Sequence, residues 1–418
     1  MTKLEQLIKE LCPNGVEYKT LGEISVDVFR GAGIKRDEVT AEGIPCVRYG
    51  EIYTTYGVWF DECVSHTQIE NVPTPKYFEH GDILFAITGE SVEDIAKSTA
   101  YVGHDKCLAG GDIVVLKHNQ NPKYLAYALS TTDAQMQKSK GKVKSKVVHS
   151  SVPAIKEIVV PIPPLPVQSE IVRILDNFAE LTAELTAELT AELTARKKQY
   201  EYYRDSLLTF DENISRVELQ TAIKSLNTGL NPRQFFKLNT DDATNWYVTI
   251  REIQNNTVIF SEKTDRINNE ALRLCNNRSN LEVGDVLFSG TGTIGETAII
   301  DKPPINWNIK EGVYVIKPNQ EKLNSRFLMY LLRTTQVRTA IMKKVAGGTV
   351  KSIPMGEMRK LMIPLPTITE QETIVSLLDR FDTLCNDISE GLPAEIEGRR
   401  KQYEYYRDKL LTFKEKVN

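Results

Sequence analysis

Five lysines, Lys138, Lys140, Lys142, Lys144 and Lys146, take every second position of the segment KSKGKVKSK. In an extended chain they would leave one face about 6.8 Å apart, near the spacing of successive phosphates along a nucleic-acid strand. A solvated basic loop has the same composition, so the run alone does not choose between the two. A second basic stretch has Lys343 and Lys344, then Gly347, Gly348, Thr349 and Lys351. Its glycines allow a backbone to approach a ligand closely. Contacts of this kind position a nucleic acid without reading it. Reading needs polar side chains that reach base edges. The residues with that chemistry near strand ends are Arg48, Tyr49, Thr88, Gly89, Glu90 and Ser91 in the first half, and Arg251, Thr291, Gly292, Thr293 and Asn308 in the second. Each also suits an ordinary surface or strand-end position.

Other chemistries find little support. Gly290, Gly292 and Gly295 match the G-x-G-x-x-G spacing of a dinucleotide site directly after a strand, but Thr297 to Asp301 reads as another strand before Pro303. No helix can start there to receive a pyrophosphate, so a tight turn is expected. Asp301-Lys302-Pro303-Pro304 has the wrong spacing, and no aromatic, for an amino-methyltransferase motif. No Gly-x-x-x-x-Gly-Lys-Ser/Thr phosphate loop occurs. The six cysteines (Cys12, Cys46, Cys63, Cys107, Cys275, Cys385) contain no Cys-x-x-Cys pair, and the five histidines show no metal-ligand spacing. Reduced thiols in a cytoplasm are expected, with no catalytic residue, no metal and no cofactor in this chain. The opening MTKLEQLIKEL lacks the apolar centre of a signal peptide, and no run approaches the ~18 apolar residues of a membrane span. The net charge of −4 argues mildly against a nucleic-acid ligand, although an average can hide a basic face.

The elements that would position these residues are written twice. ARKKQYEYYRDSLLTF (Ala195 to Phe210) returns as GRRKQYEYYRDKLLTF (Gly398 to Phe413), a constant offset of 203. At the same offset Ile158 to Phe178 realigns with Leu361 to Phe381, Gly81 to Phe85 with Gly284 to Phe288, and Tyr124 to Thr132 with Phe327 to Thr335. Between these anchors the halves share almost nothing. Long helical segments are nearly constant while the globular parts they carry differ, as in two related readers on one frame.

Each globular part reads as a mixed α+β module. Ile44 to Tyr53, Gly81 to Thr88 and Gly110 to Lys117 are β-branched runs bounded by Gly, Pro and Asp. Tyr124 to Met136 has helical spacing with Leu125, Ala128, Leu129 and Met136 on one side. Prolines from 161 to 166 end the module. From Gln168 to Phe210 there is then neither Gly nor Pro, and Leu181, Leu185, Leu189 and Leu193 recur every four residues in Thr-Ala-Glu-Leu units. Such a stripe drifts about 40° per unit around a helix on the order of 60 Å long, and it needs a partner. Phe381, Leu384 and Ile388 supply a comparable face before Gly391 and Pro393 interrupt it, predicting an antiparallel pair of helices.

P-x-P followed by QSEIVRILDNF, the Thr-Ala-Glu-Leu units, RKKQYEYYRD, and the second copy EQETIVSLLDRF, EGLPAEIE and RRKQYEYYRD together resemble a type I restriction-modification specificity subunit, of the subclass with four-residue repeats in its central helix. The resemblance covers most of the chain. It departs where the second module begins, since Gly15 to Ile24 (GVEYKTLGEI) has no clear copy in Val217 to Ile223 (VELQTAI).

The resemblance implies an α+β fold with two similar target-recognition domains joined by two long antiparallel helices forming a coiled coil. The expected segments are residues 1–160 (first recognition domain), 161–210 (central helix), 211–363 (second recognition domain) and 364–418 (distal helix). Each domain would read one half of a gapped, asymmetric site on double-stranded DNA. Two modification subunits, which transfer methyl groups from S-adenosylmethionine, would dock on the helices, and restriction subunits would add ATP- and Mg-dependent cleavage. The chain itself would be non-catalytic, cytoplasmic and not bound to a membrane. Half-sites on one duplex face lie ~34 Å apart, so a rigid spacer makes helix length part of specificity. One Thr-Ala-Glu-Leu unit is worth ~6 Å and ~40°. A coiled-coil scaffold without sequence-selective binding is the alternative, with a nucleotide-binding enzyme behind it.

Overall fold

The computed structural model describes residues 2–140, 147–347, 350–386 and 391–416, with only the backbone for 384–386. The chain divides into two compact units, Met1–Ala187 with Glu397–Asn418, and Glu188–Ile396.

In the first unit a five-stranded sheet runs in the order Ser25–Arg30, Ile113–His118, Ile83–Ala86, Ser98–Tyr101, Trp59–Phe60. A second sheet has the order Val39–Thr40, Ser65–Thr67, Ile44–Val47, Cys107–Ala109, Tyr77–Phe78. The period of two along a strand divides their side chains between two cores. Val114 and Leu116 join Leu125, Leu129, Ile171 and Leu175 on the helical side, while Ile113 and Val115 face Val47, Phe78 and Tyr101 between the sheets. Both faces are buried, which explains the unbroken apolar run.

The second unit repeats this plan with fewer strands. Ile223–Thr228, Val313–Pro318, Val286–Ser289 and Thr297–Ile299 form one antiparallel sheet, and Asp265–Ile267, Asn245–Val248 and Trp307–Ile309 form the other. In each unit the middle of the second sheet has one parallel pairing, Ile44–Val47 with Cys107–Ala109 and Asn245–Val248 with Trp307–Ile309. The opening that failed to realign in sequence is the same structure in both. Strand Glu17–Thr20 pairs with Val159–Ile162 and leads into helix Leu21–Ile24, and strand Arg216–Glu218 pairs with Met362–Pro364 and leads into helix Leu219–Ala222. Leu21 N–H donates to Ile158 O and Leu219 N–H to Leu361 O, both at 2.8 Å. The matching residue therefore lies 198 positions on instead of 203, and five additional residues in the second unit after this point hide the likeness.

The central helix is one element, Leu165–Leu207, of 43 residues, or about 65 Å at 1.5 Å per residue. It starts earlier than the first proline-free position because Pro166 is tolerated in a first turn, where its missing N–H costs nothing. The distal helix is broken into Ile368–Asn386 and Leu392–Leu410, as Gly391 and Pro393 predict. Within the first unit the beginning of the central helix packs antiparallel to the end of the chain: Ile171 and Leu175 share a core with Leu410, Leu411 and Phe413, and Phe178 meets Tyr403 and Tyr406 at ring-centroid distances of 5.6 and 5.8 Å. Within the second unit Tyr203 stacks on Phe381 at 5.7 Å, and Tyr200 and Leu208 share a core with Val375 and Leu378.

Two expectations change here. Leu189 is buried and Leu185 and Leu193 are half-buried, but Leu181 is 63% exposed. A four-residue repeat rotates ~40° per unit, so by Leu181, two units from Leu189, the stripe has turned out. Leu384 lies in a helix whose side chain is not described there, and Ile388 lies outside the described residues. The predicted helix from Tyr124 to Met136 is two helices, Pro122–Leu129 and Thr132–Ser139. Thr131 ends the periodicity by capping the second with its own hydroxyl, which accepts from Ala134 N–H at 3.3 Å, and Met136 is exposed.

Candidate nucleic-acid interface

A polar frame holds the interface residues in register, and it is duplicated at the 203-residue offset. Buried Gln168 accepts from Asn121 N–H (3.0 Å) and donates to Pro163 O (2.7 Å). Buried Gln371 accepts from Asn324 N–H (2.8 Å) and donates to Pro366 O (2.8 Å). Tyr127 OH donates to Asp176 at 2.8 Å and Tyr330 OH to Asp379 at 2.6 Å. Asp408 accepts from Thr132 N–H and Asp205 from Thr335 N–H, each at 3.1 Å. The first unit thus takes from the far end of the chain the helix that the second takes from the residues just before it. Val16 N–H to Lys414 O (2.9 Å), Lys416 N–H to Val16 O (3.0 Å) and Tyr18 OH to Phe413 O (3.1 Å) fasten that end.

On this frame each unit brings a segment beside its basic residues to the turn that follows the Gly-Asp-x-Leu-Phe strand. In the first unit Val148–His149 pairs antiparallel with Thr88–Gly89, and Thr88 Oγ1 lies 3.2 Å from His149 Nδ1. In the second, Thr291 bridges to Ser352 and Gly292 N–H donates to Lys351 O at 2.9 Å. The expected tight turn is confirmed: Gly292 and Gly295 have φ of 79° and 103°, and the chain goes straight into strand Thr297–Ile299. Gly347, with φ 111°, turns the hairpin closed by Ala346 and Ser352.

The first unit adds an open cleft of ≈ 700 Å³ beside its turn, lined by Tyr49, Tyr53, Thr88, Gly89, Glu90, Ser91, Asp94 and Val147. Five of the candidate reading residues meet there. Tyr49 is exposed, whereas Tyr53 donates to Ala86 O at 3.3 Å and burial pushes its hydroxyl up to about 12. Ser91 Oγ donates to Glu93 at 2.6 Å, so Glu90 and Asp94 are the carboxylates that remain to accept from a base amino group. Arg48 is the N-terminal cap residue of helix Tyr49–Thr54 and is half-buried, with its Nε 3.3 Å from Glu51. Arg251, two residues after the equivalent cap Thr249 of the second unit, is exposed but engaged by Asp265 at 2.9 Å.

Several sequence expectations need correction. Lys138 is no surface phosphate ligand: it belongs to helix Thr132–Ser139, not to an extended strip, and is 5% exposed. Its ammonium donates to Leu129 O (2.7 Å) and Ser98 Oγ (3.2 Å), and burial alone lowers its pKa to about 7. Lys140 is exposed; Lys142, Lys144 and Lys146 lie outside the described residues, as do Gly348 and Thr349. Lys343 and Lys351 are exposed, but Lys344 is paired with Glu357 at 2.9 Å. Asn308 is fully buried and cannot reach a base. It accepts from Ser279 Oγ (2.6 Å) and donates to Asn276 (2.7 Å), clamping helix Asn269–Ser279 to its strand. That helix carries an exposed Arg/Asn face missed in the sequence. Asn268 as an N-cap and the small residues Ala271, Cys275 and Ser279 at four-residue spacing were its signal.

The profile of the type I restriction modification DNA specificity domain matches residues 13–195 and 223–398. The chain belongs to this family. A putative type I restriction enzyme specificity subunit of Haemophilus influenzae is 36% identical over 288 residues, covering 65% of this chain and 68% of that one. The EcoR124I/EcoR124II specificity subunit of Escherichia coli is 35% identical over 302 residues, 70% of each chain. In fold, the chain is similar to one from a structure of type I restriction-modification complex assembly and conformational transition, with a TM-score of 0.66 at 16% identity over 96% of this chain and 98% of that one. The twin modules on long helices are thus the family's architecture. Among the described residues no helix is long and apolar enough to cross a membrane, and no His/Cys/Asp/Glu group could hold a metal.

Proposed function

We propose that the chain is the DNA sequence-specificity subunit of a type I restriction-modification complex, each unit reading one half of a gapped site. One observation carries this reading: two units built on the same polar frame each pair a segment that flanks its basic residues with the same turn, while the residues around the turns differ. Lys140, Lys343 and Lys351 hold the duplex by its phosphates, and the residues of the turns and of the first unit's cleft meet base edges. Chemistry belongs to partners. Two modification subunits dock along the helices and use S-adenosylmethionine, and restriction subunits use ATP and Mg. The exposed aromatics Tyr202, Tyr203, Tyr405 and Tyr406 on the duplicated segments support a docking role for those helices.

Adenine-methylation mapping of a genome expressing the chain with its modification subunit, beside a control lacking the chain, tests this. A two-part gapped motif that appears only with the chain is expected. A soluble complex with no new methylated motif would leave a scaffold.

A further inference from the structure

Building on that reading, we propose that helix Asn269–Ser279 is a base-reading helix of the second unit, with Arg273 and Asn277 contacting a guanine and an adenine in the major groove. Three strands of the first unit's second sheet match the three of the second unit's, so differences in what the units read lie where the connections between those strands diverge. A large divergence follows the strand paired antiparallel to the middle of the three, Ser65–Thr67 in the first unit and Asp265–Ile267 in the second. After Ser65–Thr67 the first unit has only the single turn Ile69–Asn71, whereas after Asp265–Ile267 the second has 11 helical residues.

The side chains of this helix are sorted by function. Ala271, Cys275 and Ser279, four residues apart, are buried against the strands. The opposite face has Arg273, Asn277 and Asn280 at i, i+4 and i+7, all exposed, with Asn269, Glu270 and Asn276 beside them. Among the described residues Arg273 and Asn277 have no hydrogen-bond or ion-pair partner. A free guanidinium matches the two acceptors of guanine, and a free carboxamide matches the donor and acceptor of adenine. A helix with its side chains is roughly 10–12 Å across, which a major groove roughly 12 Å wide admits, and 11 residues give this one about 16 Å of length to lie along it.

Rigidity and location agree. Asn308 grips the helix through Ser279 and Asn276, which is the kind of support a reading surface needs to hold its side chains in place. Asn277 and Arg278 border an open cleft of ≈ 430 Å³ with Thr228 and Met355. Thr228 Oγ1 accepts from Gly312 N–H at 3.1 Å, and Gly312 packs directly on Thr291. The helix face therefore lies one short chain of contacts from the turn to which Lys351 is bonded. It has no counterpart in the first unit, so its effect is confined to one half-site.

The test is methylation mapping with the chain and its modification subunit, comparing wild type with R273A/N277A and R273K. Relaxation at one or two positions of one half-site, with a loss of preference of about tenfold to a hundredfold there, is expected for the double variant. The other half-site and the gap stay unchanged. R273K keeps the charge but loses the forked geometry, so it relaxes the guanine position alone while methylation persists, which separates readout from misfolding. An unchanged motif, or uniformly weaker methylation at an unchanged motif, overturns the proposal, because either places the face on phosphates or in solvent. A wild-type chain yielding no two-part motif would instead overturn the specificity reading on which the proposal rests.

Discussion

Gln168 and Gln371 lie 203 residues apart and perform the same task in different units, holding the turn before one helix to the start of another. Lys138 and Ile341 are equally far apart and share a place in the fold, yet one is an ammonium hydrogen-bonded in the core and the other an aliphatic side chain packed in it. The frame tolerates no drift because a buried amide satisfies several backbone groups at once, and losing any of them leaves an unpaired polar atom. The interior of each module needs only volume and satisfied donors, so it can diverge. Divergence is large in the connections as well, as in the turn Ile69–Asn71 against the helix Asn269–Ser279. What stays constant is the set of buried side chains that satisfy backbone groups of the shared frame, while the module interiors and the connections differ.

Changing the frame's length has the largest expected effect. Deleting Thr186 to Leu189, one repeat unit, shortens the central helix by ~6 Å and turns it ~40°. Methylation mapping should then show the same half-sites with a different gap and no methylation at the parental site; a variant retaining the parental gap breaks the link between helix and target. Next come Q168A and Q371A. Each strips partners from buried backbone groups, so each should lower the unfolding free energy of its own unit by about 2–4 kcal/mol. Denaturant unfolding followed unit by unit should give equal losses; a large loss in one and none in the other would show that the frame is duplicated in form alone.

Lys138 sharpens the contrast from the other side. Burial holds its pKa near 7, below its value of 10.5 in an open chain, so between those limits the unfolded chain binds a proton that the fold excludes. Stability of the first unit should therefore rise with pH over that window, by at most about 1.4 kcal/mol per pH unit. K138M should flatten the slope without touching the second unit. A wild-type slope of zero from pH 7 to 10 would mean that the ammonium stays charged in the core.

Much of the frame could be read directly, because repetition at a fixed offset is visible without knowing any contact. The proline and glycine punctuation of the helices and the tight turn at Gly290 to Gly295 were legible for the same local reason, whereas the pairing of His149 with Thr88 and of Ser352 with Thr291 was not. Lys138 departs from the expectation because alternating lysines suit an extended chain, whereas a capped helix reaches to Ser139. Asn308 was misread because amide chemistry suits a base edge and a buried clamp equally well. Helix Asn269–Ser279 has a faint signal, an Asn cap and small residues four apart, because asparagine is a poor helix former and the buried positions Ala271, Cys275 and Ser279 add little hydrophobic periodicity.

The sequence by itself determined the duplication, the long helices, their break and the family. Those depend on propensity, spacing and identity along the chain, which are local or self-referential. Tertiary structure alone decided which basic residues face solvent and that the first unit is completed from the other end of the chain, through Asp408 to Thr132 and Glu415 to Val16. Contacts between residues hundreds of positions apart depend on where surfaces meet after folding, and no periodicity in the chain records that.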